Sequence, residues 1–440
     1  MGQCRLKTAA MCAGALALAG CLSDMGGNGG ASDVVAMQST TSNTATAKPT
    51  HSEKINAQSE IIQGLLARRT VLPAGSPYSR VATAVLAANS RAAESELRAA
   101  QLRARAASKN WLPSIGPNIS LTSLGSVVAN LIVEQVIYDN GRKKGEREFA
   151  VADVEVAAVA LASDTNARVR TGLDLYINAV EAREKQVLAT KSAKDIGHFE
   201  WIMQQRVNGG VSDSSDLHVL RQKLLEIRAS QSAASETAST AISELNAMAV
   251  GDLSSVRGVS PLPVSAGLAQ PLSVTQAEAE KIRAIAAAKV DRAGQLPGLS
   301  ASGTVGQDST FGLRIKSDGL LGLGTGDRLK AIEATKEAAG RYVAQATEDA
   351  NRQLRKFEGQ IASKERQAAE ASGLTAQAKK NLDLFQAQYD AGQRQVMDVV
   401  GVYETFARQQ EAEVTLKYEA IRLRVAMAEL LGVLADGSAI

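Results

Sequence analysis

The stretch VIYDNGRKKGE, residues 136–146, is the point where an extended pattern gives way to a helical one. Apolar and polar residues alternate before it, and a helical pattern runs for about 66 residues after it. A similar transition occurs at GTGDRLKA, residues 324–331, which opens a second helix of nearly the same length. At about 1.5 Å per residue the first helix spans about 100 Å, more than a globular core needs. The sequence therefore predicts long antiparallel helices that pack like a coiled coil.

The two helical stretches belong to a longer repeat. Four pairs of landmarks lie 182 to 186 residues apart: Pro113 and Pro297, Arg142 and Arg328, Gly210 and Gly392, and Asp216 and Asp398. A nearly constant offset indicates an internal duplication. Each half is predicted to contain a helix, two strands, a long helix, a tight break and a medium helix.

The N-terminus has the form of an export signal. Residues 1–20 combine a basic start with an apolar run that is too short to span a membrane. The run ends at Leu18-Ala19-Gly20-Cys21, which resembles the bacterial lipobox; an ordinary signal with an incidental cysteine is the alternative. In a lipobox, Cys21 would carry acyl chains such as palmitate, and two or three chains anchor a protein stably. The other cysteines, Cys4 and Cys12, lie in the segment that would be removed.

The segments that follow the two prolines alternate with a period of two, as strands do. In FGLRIKSDG, residues 311–319, the apolar side chains Phe311, Leu313 and Ile315 face one way. The charged residues of these segments, on the polar side, are Glu134, Arg314, Lys316 and Asp318. The segments have about the length of a tilted membrane strand. An amphipathic sheet in a soluble protein is the alternative, and the lipobox favours membrane strands.

Bulk composition argues against several functional classes. The chain has 49 basic and 46 acidic residues among 440, so no basic surface suggests nucleic acid as a partner. The spaced glycines in GLLGLGTGDR lack the rest of a nucleotide-binding motif, and the three histidines share no metal-ligand spacing. We expect no catalytic residues, no cofactor and no metal site, and hence not an enzyme.

The predicted domain organisation follows from these features. It comprises a signal peptide (1–20), a lipidated N-terminus and tether (21–79), a first repeat (80–250), a connecting segment (251–272), a second repeat (273–433) and a C-terminal tail (434–440). In the first repeat the strands lie at about 113–138 and the helical hairpin at about 141–249. In the second repeat the strands lie at about 297–325 and the hairpin at about 327–433.

Taken in this order, the features resemble the TolC family of outer-membrane efflux proteins, in its lipid-anchored branch. The resemblance covers residues 80–433 and rests on the duplicated plan, on VIYDNGRKKGE, and on two helix breaks in which a glycine is followed six residues later by Asp. It implies a mainly α-helical fold with membrane β-structure. Three chains would close a twelve-stranded barrel, continued by a long α-helical barrel in the periplasm. Four amphipathic strands have open edges that lipid cannot satisfy, so physics also requires association.

The resemblance also implies a function. The protein would be the outer-membrane exit duct of a tripartite efflux or type I secretion system, passively conducting substrates from an inner-membrane pump through a periplasmic adaptor protein. Its lumen would be lined by Glu134, Arg314, Lys316 and Asp318. The predicted aperture and docking residues at the helix tips are Asn208, Gly209, Gly210, Asp213, Asp216, Asp390, Gly392, Gln395 and Asp398.

Some of these tip residues have a simpler expected role. Glycine accepts the positive φ at which a chain reverses, and we expect Asp216 and Asp398 to cap the returning helices. The competing functions are an adaptor-like protein and a mechanical coiled-coil lipoprotein without a pore. An adaptor should show one helical hairpin, and a mechanical rod needs no alternating segments.

Overall fold

A computed structural model describes residues 59–88, 92–123, 126–305, 309–317 and 322–439. Cys21, the signal peptide and Asp318 lie outside the described residues. The described part is mainly helical, with one small sheet, as predicted. Its helices are α1 (Glu60–Leu66), α2 (Pro77–Ala87), α3 (Ala92–Ala107), α4 (Arg142–Asn208), α5 (Ser214–Ala247), α6 (Leu272–Gly294), α7 (Thr325–Asp390) and α8 (Val396–Leu430). Its strands are β1 (Ser114–Ser123), β2 (Ser126–Tyr138), β3 (Gly298–Val305) and β4 (Thr310–Lys316).

The link between β2 and α4 explains why VIYDNGRKKGE changes the chain from strand to helix. Asn140 and Gly141 both have positive φ, 53° and 87°, which turns the backbone sharply. The Asp139 carboxylate then accepts hydrogen bonds from the backbone N–H groups of Gly141 (3.1 Å) and Lys143 (2.7 Å). Because the first N–H groups of a helix have no partner inside it, this carboxylate stabilises the start of α4.

Two helical hairpins, α4–α5 and α7–α8, form the long part of the molecule. The long helices α4 and α7 have 67 and 66 residues, which corresponds to about 100 Å each. Within the described residues α5 packs on α4, α4 packs on α8, and α8 packs on α7. Near the sheet, α3 and α6 cover α4, and α6 also contacts α7.

The buried face of α7 shows why its sequence forms a coiled-coil-like helix. Side chains that are buried or half-buried lie at positions that fit alternating steps of three and four residues, from Leu354 through Phe357, Ile361, Ala371 and Ala378 to Leu382. That period of 3.5 is the heptad spacing of helices that wrap around one another. Alanine at many of these positions lets neighbouring helices approach closely.

The four strands form one antiparallel sheet in the order β1-β2-β3-β4. Its strands come from both halves of the sequence, since β2 pairs with β3 through Val133 opposite Gly303. The second strand pair is shorter than expected: the predicted range extends to about residue 325, whereas β4 ends at Lys316 and α7 begins at Thr325.

The first described segment differs from the expectation of a tether that extends to residue 79. Leu65 and Tyr78 are almost completely buried in this segment. The backbone N–H of Val71 donates to the carbonyl of Val433 (2.9 Å). The backbone N–H of Gly437 donates to the carbonyl of Arg68 (2.9 Å). Residues from Ser59 onward are therefore part of the folded body, where they pack against the C-terminal segment.

Candidate functional site

The register of the sheet separates its two faces. Residues paired directly across antiparallel strands share a face. Glu134 is opposite Ser302, Arg314 is opposite Ser300, and Lys316 is opposite Gly298. The three partners, Gly298, Ser300 and Ser302, are alternate residues of β3 and therefore share a face. Glu134, Arg314 and Lys316 accordingly all lie on that face of the sheet. The structure thus brings together three of the four residues predicted to line a lumen.

The opposite face is apolar and exposed. Leu299 is opposite Ile315, Ala301 is opposite Leu313, and Gly303 is opposite Phe311. Phe311 and Ile315 keep 81% and 75% of their surface accessible, and Ile115 and Ile119 of β1 are exposed as well. An apolar face of this extent in a single copy is typical of a surface that is covered by lipid or by another protein.

At the foot of the polar face lies a hollow of about 240 Å³. Its lining combines Glu134 and Lys316 from the sheet with Arg142, Lys143 and Glu146 from the first two turns of α4. Glu146 is held in place there by Asn110, which donates to its carboxylate (2.9 Å), and by Arg142 (3.3 Å). Charged groups from the polar face of the sheet and from the start of α4 therefore line one hollow.

The tip of the first hairpin ends α4 and starts α5. Gly210, with φ of 72°, is the residue that reverses the chain. The N–H groups of Gly210 and Val211 donate to the carbonyls of Val207 (3.0 Å) and Arg206 (2.8 Å), which is the Schellman arrangement of a helix end. Gly209 and Asn208 precede this turn and are exposed.

The returning helix α5 is capped by a different aspartate from the one expected. Asp213 is the N-cap residue, and its carboxylate accepts from the N–H of Ser215 (3.1 Å). This hydrogen bond lowers the pKa of the Asp213 carboxyl. Asp216 lies in the first helical turn instead, so the expectation that it caps α5 is wrong. The first turn still places its negative charge near the positive end of the helix dipole.

The tip of the second hairpin repeats the same turn. Gly392 has a φ of 75°, and its backbone N–H donates to the carbonyl of Tyr389 (2.8 Å). The backbone N–H of Gln393 donates to the carbonyl of Gln388 (2.9 Å). Asp390, the last residue of α7, accepts from the side chain of Gln386 (3.0 Å).

At the start of α8, Gln395 is the N-cap residue. The Asp398 carboxylate, at the third helical position, accepts from the backbone N–H of Gln395 (3.2 Å), so Asp398 takes part in capping as one half of a capping box. Asp216 and Asp398 thus occupy the same third position of their helices. Asp398 belongs to a capping box, whereas α5 is capped by Asp213.

The two tips lie at the same end of the helices and share an apolar core. Ile196, Phe199 and Leu220 of the first hairpin pack in one cluster with Val399 and Tyr403 of the second. Lys223 of α5 also forms an ion pair with Glu404 of α8. Sequence reasoning missed these links between the hairpins, since pairing over about 200 residues has no local signal.

Arg394 is another tip residue that the sequence analysis did not single out. Its guanidinium lies over the ring of Phe385, 4.5 Å from the ring centre, and donates to the side chain of Gln388 (3.0 Å). The arginine is thereby held against the end of α7.

Two properties of the described residues bear on other functions. In the part of the chain that the structure describes, no helix carries an apolar stretch long enough to cross a membrane. Across the same residues no cluster of three or more His, Cys, Asp and Glu side chains could hold a metal ion. His198 stacks on Trp201, with 6.3 Å between the ring centres.

Comparison with known proteins yields matches only at the level of structure. No family model matches the sequence, and no curated protein sequence matches it. The CmeC outer membrane channel of Campylobacter jejuni is 14% identical, with a TM-score of 0.67 over 82% of this chain and 87% of that chain. The outer membrane protein VceC of Vibrio cholerae is 16% identical, with a TM-score of 0.65 over 86% of this chain and 96% of that chain.

The open state of the MtrE outer membrane channel of Neisseria gonorrhoeae is similar to the same extent. It is 16% identical, with a TM-score of 0.64 over 84% of this chain and 95% of that chain. These likenesses extend over most of the chain. The chain therefore has the fold of TolC-type outer-membrane channels, as the resemblance in its sequence predicted.

Proposed function

We propose that this protein is the outer-membrane exit duct of a tripartite efflux or type I secretion system. Three copies close a twelve-stranded barrel in the outer membrane, and their helices continue it as a hollow cylinder in the periplasm. Substrates pass through it passively, and a partner pump in the inner membrane supplies the energy. The number of copies rests on the resemblance to the TolC family.

The observation that carries this proposal is the sheet. It has one apolar and one polar face, and among the described residues β1 and β4 each pair with a single neighbour. In lipid, every unpaired backbone N–H or C=O group costs several kcal/mol, so an open four-stranded sheet cannot remain there alone. Pairing β4 of one copy with β1 of the next removes both edges and places Arg314, Lys316 and Glu134 around a water-filled lumen.

Lipid attachment at Cys21 complements this arrangement. The lipobox supports an anchor in the outer membrane, from which the tether leads to the folded body. Replacing Cys21 with serine is expected to abolish incorporation of radiolabelled palmitate while the trimer still forms. Palmitate incorporation in the variant would contradict acylation at this residue.

The hairpin tips are the proposed docking site for a periplasmic adaptor. They are exposed, they carry both acidic and basic side chains, and they lie at the end of the helices opposite the sheet. Docking of the adaptor and the pump would open the constricted end. Asp213, Asp216, Asp390 and Asp398 are the acidic groups proposed to meet the adaptor.

Conductance in planar bilayers tests the pore directly. The purified full-length protein should form discrete ion-conducting channels. A folded oligomer that never conducts would refute the pore and leave the adaptor-like or mechanical alternative. The adaptor alternative predicts a single hairpin, and the described residues form two.

A further inference from the structure

The segment between α5 and α6 contains a turn, Ser254–Gly258, that draws two arginines together. Arg183 of α4 donates to the carbonyl oxygens of Ser254 and Val256, both at 3.3 Å. Arg257 donates through Nη1 to the same two carbonyls, at 2.9 Å for Val256. Since both guanidinium groups lie within hydrogen-bonding distance of one oxygen atom, two like charges are close neighbours.

No carboxylate offsets these charges in the described part of the chain. Neither Arg183 nor Arg257 forms an ion pair there, whereas Arg170 of α4 and Arg422 of α8 pair with Glu429 and Glu181. The carboxylate nearest to Arg257 in sequence, Asp252, accepts from Asn246 (3.0 Å) and from the N–H of Ser254 (2.8 Å). Glu184, which follows Arg183 directly, accepts from Lys417 (2.9 Å) and from the Tyr418 hydroxyl (2.6 Å). Burial and the charge of Arg257 lower the pKa of the Arg183 guanidinium.

A third arginine lies on the helix that packs against Tyr176, next to the same turn. Tyr78 of α2 meets the ring of Tyr176 edge-on, with 6.2 Å between the ring centres, and Arg80 follows two residues later in α2. The Tyr176 hydroxyl donates to the carbonyl of Gly258 (2.7 Å), which fixes its position beside the turn. Burial raises the pKa of Tyr176 to about 12, and the charges of Arg183, Arg257 and Arg80 all act on this hydroxyl in the opposite direction. Arg80 and Arg257 are exposed, so a solute can reach the cluster from solvent.

We propose that Arg80, Arg183 and Arg257 form a binding site for an oxyanion, a carboxylate or phosphate group, beside the turn Ser254–Gly258. A guanidinium presents its N–H groups in a planar fork that matches such a group with two parallel hydrogen bonds. The carbonyls of Ser254 and Val256 hold two of the forks in place, and their remaining N–H groups are available to the ligand. Binding would also relieve the repulsion between the two neighbouring guanidiniums.

Calorimetric titration of the full-length protein in detergent tests the site. Inorganic phosphate and succinate serve as probes, against sodium chloride at matched ionic strength. At least one probe should bind, and Arg80→Gln and Arg257→Gln should each weaken it by about tenfold. The matched control is Arg228→Gln, which removes the same charge from an exposed position on α5 and should leave binding unchanged.

The pattern of results identifies the ligand group or refutes the site. Binding of phosphate alone, of succinate alone or of both supports the site and names the group it accepts. Arg257→Gln also removes hydrogen bonds to the turn, so Arg80→Gln, which touches neither carbonyl, is the decisive variant. If neither probe binds better than chloride, or if both variants bind as well as the control, there is no such site.

Discussion

The hydroxyl group of Tyr403 in α8 donates a hydrogen bond to the carboxylate of Asp195 in α4, with 2.9 Å between the oxygen atoms. The same hydroxyl lies 3.3 Å from the hydroxyl of Ser192. Burial is the main reason that the pKa of Tyr403 is raised. Because α4 and α8 belong to different hairpins, this contact ties the hairpins together close to their tips.

Removing the hydrogen bond between Tyr403 and Asp195 should make local unfolding near the hairpin tips more frequent. Tyr403→Phe keeps the buried ring and deletes only the hydroxyl, so the expected loss is about 1–2 kcal/mol of local stability. Amide hydrogen exchange in the last turns of α4 and the first turns of α8 should become faster by about tenfold.

The matched control is Tyr342→Phe. Tyr342 lies on the exposed face of α7, and deleting its hydroxyl should leave exchange unchanged. Equal exchange in the Tyr403 variant and the wild-type protein would show that the hydrogen bond does not hold the hairpins together.

The cap at Asp213 gives the first tip a dependence on pH. Its pKa is lowered in the folded protein by hydrogen bonds from Ser215, so its contribution to stability is present above the ordinary carboxyl pKa of about 4. The contribution is lost as the pH falls through the lower, folded value. Exchange of the Ser214–Ala247 helix at its N-terminal end should therefore rise below about pH 4.

Asp213→Asn is the informative comparison, since asparagine caps helices without a charge. Its exchange rate should show no such change over that pH range. A variant that keeps the wild-type pH profile would assign the titration to another group.

The glycines of α7 and of its tip should respond to alanine in opposite directions. Gly392 has φ of 75°, and a methyl group added at its Cα would have no atom within 4 Å, so Gly392→Ala should cost about 1 kcal/mol through backbone strain alone. Gly373 is helical with the same open space around it, so Gly373→Ala should gain up to about 1 kcal/mol.

Thermal unfolding of the two variants under identical conditions separates these effects. The Gly373 variant should have the higher midpoint and the Gly392 variant the lower one. The reverse order would mean that the turn at the tip does not need the left-handed conformation.

Local patterns predicted most of this fold. The alternation in FGLRIKSDG assigned Arg314 and Phe311 to opposite faces, and the register of β3 and β4 places them so. The alternation is local, because every second residue of a strand shares a face. The spacing of buried residues along α7 is local in the same way, because residues three and four positions apart share a face of a helix.

Contacts between residues far apart in the sequence account for the features that local patterns did not predict. Ser59 follows a polar stretch of the sequence, yet its hydroxyl donates to the buried carboxylate of Glu155 (2.7 Å). The helix that starts there has only seven residues, too short to be stable alone, so it forms because the body of the protein packs against it. The same holds for Asp195 and Tyr403, which are 208 residues apart.

Neighbouring residues of β4 offer the sharpest test of whether the sheet lies in a membrane. Ile315 lies on the apolar face and Arg314 on the polar face, one residue apart in the same strand. If the apolar face contacts lipid, Ile315→Lys should cost about 2–4 kcal/mol near the bilayer midplane and less close to the interface. Correctly folded protein in the outer membrane should then decrease several-fold, as measured by heat-modifiable migration of the membrane fraction.

Arg314→Gln is the partner variant, because it changes a charge on the face proposed to line the lumen. It should assemble as the wild-type protein does and shift the reversal potential of the channel in a salt gradient toward cations, since one positive charge per copy is removed. If Ile315→Lys assembles normally while Arg314→Gln does not, the two faces have been assigned the wrong way round. If neither variant affects assembly or selectivity, the sheet is not a membrane wall.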